Sequence, residues 1–427
     1  MKIIIVGAGL GGLSTALSLT QAGHEVTILE SSLQLAELGA GVQMTPVATR
    51  YFWKWGLGPD ILAHSALPSS FNVQNGKSGK LLASVPFGGF EERYGAPYIV
   101  IHRADIHRLL SEHVLKAGAG IRLGCKVANY ELDEGAVVLE SGERVVGDLV
   151  VAADGVNSFA RRSFLGAHTS YLEPTGWAAY RMTAPVSKIR QNSKIAYFAS
   201  EHQANCFVGD GCSVMTYLMK NSEVFNMVIS HPDDVNTNSW TTSQYRAAID
   251  KVLAGWDDSF TLLLETIDSD ILNWPVNHVT SLPKWTSESG RFVLVGDAAH
   301  AMAFYLSMGV SMAVEDAAAL TECLALISEQ GATLQTAMGN FETVRKQRAE
   351  AVRDASLHAG NVLHLPPGPE RNERDKRLRG VEDMPSENKG RFWAEGTAYG
   401  IADLRIRDWC YAYDVAEEVK KTSVALQ

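Results

Sequence analysis

The sequence predicts an α/β protein in which a sheet-and-helix unit is interleaved with a mainly antiparallel β unit and followed by C-terminal helices. Three observations carry this. Three short, continuously apolar runs, near residues 3–6, 148–153 and 291–295, read as strands buried on both faces, each stopping at a glycine-containing turn. Between the second and third, from about Tyr171 to Ser230, lies broken alternation with many aromatics, such as Trp177-Ala178-Ala179-Tyr180-Arg181-Met182, which reads as antiparallel strands. Helical periodicity dominates after about Gln335.

The first element sets the frame. Ile3-Ile4-Ile5-Val6 runs into Gly7-Ala8-Gly9-Leu10-Gly11-Gly12, with Gly7, Gly9 and Gly12 in G-x-G-x-x-G register. Leu13 to Leu19 continues as a helix, Gly23 ends it, and Glu25-Val26-Thr27-Ile28-Leu29 forms a second strand closing on Glu30. Gly7 permits the tight turn, Gly9 lets a pyrophosphate approach the backbone, and Gly12 lets helix and strand pack closely. The helix start offers unpaired N–H groups and a positive dipole end to the anion. The dipole contributes only about 0.3–1 kcal/mol, so the amide hydrogen bonds carry much of the recognition. Glu30 is placed to accept hydrogen bonds from a ribose diol. Strand, helix, second strand and terminal acid together predict a Rossmann-like dinucleotide site; a glycine-rich turn in an unrelated domain leaves Glu30 unexplained. The pattern does not separate FAD from NAD, because the acid meets adenosine ribose in both.

The chain has 427 residues, enough for two or three packed units, and 46% hydrophobic with 20% charged residues is the balance of an ordinary globular protein. A net charge of −10 argues against nucleic acid or an anionic membrane as the main partner. No apolar run reaches the length of a membrane span, and the chain enters its first strand at Lys2 without a signal-peptide layout, so a cytoplasmic protein is expected. Cys125, Cys206, Cys212, Cys323 and Cys410 are scattered and lack metal-ligand spacing, which predicts reduced thiols and no metal site.

Further along, Leu38-Gly39-Ala40-Gly41-Val42-Gln43 crowds glycines as backbone beside a flat ligand, or a plain loop, would. A helix from about Pro46 to Trp55 carries Trp53 and Trp55 toward a core, and residues 70–97 read as hairpins at the edge of the second unit. His102-Arg103-Ala104-Asp105 opens another helix; taken alone, Arg103 reads as a solvated or salt-bridged side chain. Residues 121–139 alternate as antiparallel strands turning at Asp133-Glu134-Gly135. Asp154-Gly155 and Gly296-Asp297 put carboxylates at the carboxyl ends of buried strands, where α/β ligands sit. Helical periodicity runs from about Ser243 to Leu264, from Gly309 to Ile327 with Glu315 and Asp316 early, and from Gln335 to Gly360. Pro366-Pro367-Gly368-Pro369 then begins what reads as a helical surface appendage, with the charges of Arg371 to Arg379 on a solvated face. The expected division is residues 1–70, 98–170 and 280–365 as a cofactor domain, 71–97 and 171–279 as a substrate domain, and 366–427 as the appendage.

The Gly7/Gly9/Gly12 fingerprint, Asp154-Gly155 and Gly296-Asp297, in this order, resemble the FAD-dependent aromatic monooxygenases with the para-hydroxybenzoate hydroxylase fold. The likeness extends over nearly the whole chain and is nearest the salicylate hydroxylase group, through Gly39-Ala40-Gly41-Val42-Gln43, His102-Arg103-Ala104-Asp105, Trp177 to Arg181, Glu315-Asp316-Ala317, His364-Leu365-Pro366-Pro367-Gly368-Pro369 and Tyr411-Ala412-Tyr413-Asp414. The resemblance implies that Gly7, Gly9, Leu10, Gly11, Gly12 and Glu30 hold the ADP half of FAD. It places Gly41 and Val42 beside the cofactor, Arg103 at its phosphate or ribityl part and Asp297 at a ribityl hydroxyl. The amides near Gly309 and Val310 would face the flavin pyrimidine, and Asp154 would serve both FAD and NAD(P)H. No second glycine fingerprint exists, which agrees with NADPH or NADH visiting transiently.

The implied reaction inserts one atom of O2 into an aromatic or related electron-rich small molecule through a flavin C4a-hydroperoxide, in a monomer or homodimer; the alternative is an FAD oxidase or dehydrogenase without productive oxygen transfer. Arg181 and Tyr217, on strands of the β unit that should roof the flavin, are the candidate catalytic pair. A guanidinium stays charged and favours a phenolate or carboxylate, and a tyrosine hydroxyl adds a directed bond. The plainer expectation is Arg181 paired with a carboxylate and Tyr217 packed in the sheet. Two residues depart from the family pattern: Phe304 stands where a proline beside the flavin is usual, and Met308 where glutamine is common.

Overall fold

The computed structural model describes residues 1–35, 41–166, 170–237, 239–379 and 400–425. The Leu38–Ala40 part of the glycine-crowded stretch therefore lies outside the described residues. Three buried runs separated in sequence do meet in one sheet. Its five strands are all parallel, in the order Phe292–Leu294, Leu149–Ala152, Lys2–Val6, Glu25–Leu29 and Gly120–Arg122. Ile3, Ile4 and Ile5 are wholly buried, as expected of a strand covered on both faces. Helix Leu10–Gln21 packs against Arg103–Ala117 and Gly309–Gln330 on this sheet.

The second large sheet has seven strands, ordered Leu272–Val279, Leu172–Pro185, Val224–Pro232, Ser213–Met219, Gln203–Val208, Ser70–Asn75 and Leu81–Pro86. Every pairing is antiparallel except Gln203–Val208 with Ser70–Asn75. One hydrophobic core runs through the parallel sheet and one side of this larger sheet, while a second, around Ile249, Leu263 and Phe225, fills its other side. Two small sheets complete the strands: Gly41–Met44, Ile99–His102 and Ser65–Ala66 in one, and Val127–Glu131, Ala136–Leu139 and Arg144–Val146 in the other.

Two expectations need correction. The helical stretch near 243–264 is two helices, Thr242–Val252 and Asp258–Thr266, because Gly255 takes a left-handed φ of +76° between them and Asp257 caps the second through the Ser259 amide. The C-terminal region is not only a surface appendage. Arg374 is buried and donates to the Val362 and Leu363 carbonyls, while Ile406, Cys410 and Tyr411 are wholly buried. All five cysteines are buried and free. No helix among the described residues is long and apolar enough to cross a membrane.

Candidate active site

A cavity of about 550 Å³ opens between the carboxyl ends of the parallel strands and the inner face of the seven-stranded sheet. The parallel-sheet side contributes Gly9, Leu10, Gly11, Arg103 and Asp297, with Gly309 and Val310 at the start of the long helix. Gly41 and Val42 form one side, and Arg181, Tyr217 and Trp274 come from the larger sheet. Gly9 sits where a strand ends and its helix begins, and Val310 lies in the first turn of Gly309–Gln330, the helix that packs against Leu10–Gln21, so the two distant residues meet.

The glycines divide into two kinds. A Cβ on Gly7, which has φ +103°, would stand 2.4 Å from the Ala153 carbonyl oxygen, and one on Gly12 would stand 2.0 Å from the Gly7 carbonyl oxygen. These two glycines allow backbone to pack on backbone and do not line the cavity. A Cβ on Gly9 would meet nothing within 4 Å, so this glycine leaves space for a ligand. Glu30 also lies off the cavity. Its Oε2 accepts from the Ala8 amide at 2.8 Å and its Oε1 from the Ser32 amide at 2.8 Å, so the carboxylate ties the glycine loop to the end of the second strand. His107 Nε2 lies 2.7 Å from the Ala8 carbonyl oxygen and fixes the same loop from the helix behind it.

Asp154 stands just outside the cavity lining: its Oδ2 accepts from the Ala160 amide at 2.9 Å, while Oδ1 is buried without a partner. The neighbouring Arg161, buried, donates to the Ala298 carbonyl at 2.9 Å and the Val156 carbonyl at 2.7 Å. It thereby joins the Asp154-Gly155 turn to the Gly296-Asp297 turn, a role no local sequence pattern signals. Gly296 has φ +58°, and its amide donates to Asp316 Oδ2 at 2.8 Å. Asp316 Oδ2 also lies 2.6 Å from His300 Nε2, and Arg345 Nε donates to Oδ1 at 2.8 Å. Burial alone would raise the Asp316 carboxyl, but His300, Arg345 and the Gly296 amide outweigh it and hold it below the usual carboxylate range.

Met308 gives the helix Gly309–Gln330 no side-chain cap, so the opening amides beside the cavity are available to an acceptor. Ser307, at φ +56°, donates to Gln43 Oε1 at 3.3 Å, and Tyr98 donates its hydroxyl to the same oxygen. Both Ser307 and Gln43 line the cavity.

Arg181 and Tyr217 reach the cavity in different states. The Arg181 guanidinium carbon lies 4.7 Å from the Trp274 ring centroid and 5.7 Å from that of Phe304. Its Nε is buried without a partner, and the guanidinium makes no hydrogen bond or ion pair with the described residues. The expected carboxylate partner is therefore not there. Burial pushes the Arg181 pKa down, partly countered by Tyr217 and reinforced by Arg103. Tyr217, by contrast, donates its hydroxyl to the Gly41 carbonyl at 2.9 Å, and burial pushes its pKa up to about 12. A directed bond from Tyr217 to a substrate would therefore be one that its oxygen accepts, because its proton is committed to the Gly41 carbonyl.

Residues 1–356 match the family model described as "FAD binding domain". The chain is 31% identical over 390 residues to FAD-dependent monooxygenase ntnJ of a Nectria species, spanning 90% of this chain and 88% of that protein. It is 30% identical over 390 residues to 3-hydroxybenzoate 6-hydroxylase 1 of Aquipseudomonas alcaligenes, spanning 89% and 94%. Among solved structures, a salicylate hydroxylase substrate complex matches with a TM-score of 0.76 at 21% identity, over 99% of this chain and 98% of the other. Klebsiella pneumoniae HpxO complexed with FAD and uric acid matches with a TM-score of 0.77 at 21% identity, over 94% and 97%. At such identities the structural likeness speaks for the fold.

Proposed function

Because this chain belongs to the FAD-binding-domain family, as one of its FAD-dependent monooxygenases, we propose that it hydroxylates an electron-rich aromatic ring with O2, drawing electrons from NADPH or NADH. The overall balance is ring C–H, O2, NAD(P)H and a proton giving ring C–OH, water and NAD(P)+. When bound, FAD supplies the electron transfer and oxygen activation.

The residues present fit FAD. The open side of Gly9 and the uncapped start of Gly309–Gln330 offer backbone amides to anionic or electron-rich groups, and Asp297 presents a carboxylate to hydroxyls. Leu10, Gly11, Gly41, Val42 and Arg103 would border the same ligand, with Gly7, Gly12 and Glu30 shaping the loop that receives its ADP half. Asp154, with one unpartnered oxygen, would orient the turn beside it.

The observation that carries the substrate reading is Arg181: a half-buried cation at the cavity wall whose Nε is buried without a partner and whose guanidinium meets no acceptor among the described residues. Burying a charge unpaired is expensive, so its acceptor belongs to what enters the cavity. A phenolate or carboxylate placed there gains a charge-assisted bond, and an ionised phenol is the more electron-rich ring. Met215, Val228, Trp274 and Phe304 supply an apolar surround that excludes water from the reacting atoms.

The test is a panel of phenolic and aromatic acids incubated with purified protein, NADPH or NADH and 18O2. Product carrying one labelled oxygen supports the proposal. NAD(P)H consumption that yields only hydrogen peroxide across the panel would favour an oxidase instead, and a colourless, flavin-free protein would overturn both.

A further inference from the structure

None of residues 403–414 lines the cavity, yet two lines of buried contact lead from them to its wall. The first passes through Arg348. This guanidinium donates to the Trp409 carbonyl at 3.0 Å and the Cys410 carbonyl at 3.1 Å, and lies over the Tyr413 ring at 4.2 Å. The Nη2 that meets Cys410 also reaches Glu315 at 3.4 Å, and Glu315 pairs with Arg345 at 2.5 Å. Arg345 in turn holds Asp316, whose other oxygen receives the amide of Gly296, the residue before Asp297. Glu315 and Asp316 balance Arg345 and Arg348 in charge, so removing any member leaves an uncompensated buried ion.

The second line passes through Tyr411. Arg50 clamps the segment by donating to the Tyr413 carbonyl at 2.6 Å and the Tyr411 carbonyl at 3.4 Å. The wholly buried Tyr411 ring packs against Tyr98, with centroids 6.4 Å apart, and Tyr98 donates its hydroxyl to Gln43 on the cavity wall.

We infer that residues 403–414 are a brace that sets cofactor affinity from outside the site, with Arg348 and Arg50 as its positioning residues. The brace fixes the Gly296-Asp297 turn through one line and Gln43 through the other. This rests on Asp297 and the glycine loop holding FAD, as proposed above. The segment is joined to the site by backbone carbonyls and buried charge, so losing its docking unbalances the ion cluster that holds the turn. Coupling is reciprocal: if docking favours FAD, FAD must favour docking.

Two measurements on the full chain test this. In the first, apoprotein of Arg348→Met, Arg348→Lys, Arg50→Met and Ile249→Ala is titrated with FAD, and each unfolding midpoint is recorded. Ile249 lies in the separate core of the larger sheet and serves as a matched destabilisation. The expected result is an FAD Kd raised about tenfold or more in Arg348→Met and Arg50→Met, partial recovery in Arg348→Lys, and a Kd within about twofold of the parent for Ile249→Ala. Kd values that stay parental, or that simply follow stability in all variants, overturn the brace. The second needs no substitution: hydrogen exchange in the helix Leu404–Tyr411 should slow when FAD is added to parental apoprotein. Unchanged exchange there, alongside protection at Gly309–Gln330, also overturns it. A parental protein that binds no FAD would instead sink the cofactor reading on which the inference rests.

Discussion

Arg181 holds its guanidinium 4.7 Å from the centre of the Trp274 indole, and no acceptor among the described residues meets its buried Nε. A cation–π contact of this kind is worth about 0.5–2 kcal/mol, and it leaves the buried Nε–H without the acceptor it has in water, at a cost of about 1–3 kcal/mol. The substrate-free protein therefore stores an unfavourable term that an anionic substrate relieves. Arg181→Met is expected to unfold at the same or a higher temperature than the parent. It should keep FAD and lose about 10- to 100-fold in kcat/KM, equivalent to one charge-assisted bond. A variant that is markedly less stable with unchanged kcat/KM would make Arg181 a structural residue.

Glu30 already accepts three hydrogen bonds within the protein, from the Ala8 and Ser32 amides and the Ser31 hydroxyl. Its removal should loosen the glycine loop as well as delete a ribose acceptor. Glu30→Ala is expected to lose about 1.5–3 kcal/mol of FAD affinity, read as flavin lost on dialysis. Glu30→Gln, which keeps an acceptor oxygen, should lose less. Parental retention of FAD by Glu30→Ala would leave this residue a surface acid at a strand end.

Gly41 and Tyr217 form a pair that only one combination of sizes satisfies. A Cβ at position 41 would stand 2.4 Å from Tyr217 Cε2, inside contact distance. Gly41→Ala should cost about 1–3 kcal/mol of stability by overpacking. Tyr217→Ala in the Gly41→Ala background should recover part of that loss, and a double-mutant cycle of denaturant midpoints measures it. Strictly additive losses would mean that the strand at residue 41 shifts freely and the ring contact is incidental.

Asp297 sits on a turn held by Gly296 and Asp316, and it lines the cavity. Asp297→Ala should fold, because the turn's hydrogen bonds are made by its neighbours, yet purify with little flavin. Full flavination with parental reduction by NAD(P)H would reduce Asp297 to a turn residue.

The parts of this arrangement that were legible in the sequence are those whose signal is local. A β-branched run followed at once by Gly7-Ala8-Gly9 changes the hydrophobic period from two to 3.6 within a few residues, and no tertiary knowledge is needed to read it. The same holds for the strands that end at Asp154-Gly155 and Gly296-Asp297. Arg181 was legible as a candidate because an arginine in an inward-facing strand pattern is conspicuous, but its neighbour Trp274 lies on the strand that pairs with its own from far along the chain. Tyr217's bond to the Gly41 carbonyl spans 176 residues and involves a backbone oxygen, which no residue-type pattern encodes. Arg374 shows the limit most plainly. In sequence it belongs to a charge-rich helix that looks solvated, and only the packing of that helix against the larger sheet makes it interior.

Asp316 makes acid sensitivity a probe of the turn behind Asp297. Its folded pKa lies below its unfolded value of about 3.9, because His300, Arg345 and the Gly296 amide favour the carboxylate more than burial opposes it. Between the two values the unfolded chain binds the proton and the folded one does not. The stabilisation is therefore fully present above about pH 4 and drains away as pH falls toward the folded pKa, at up to about 1.4 kcal/mol per pH unit for this one group. Asp316→Asn removes the titration but leaves Arg345 with one carboxylate fewer. It should start less stable by about 3–5 kcal/mol at neutral pH, yet show a shallower fall below pH 4. Urea unfolding followed from pH 6 to pH 3 reads both quantities. Parallel curves for parent and variant in the acid limb would mean that Asp316 is not the carboxylate whose ionisation holds this turn.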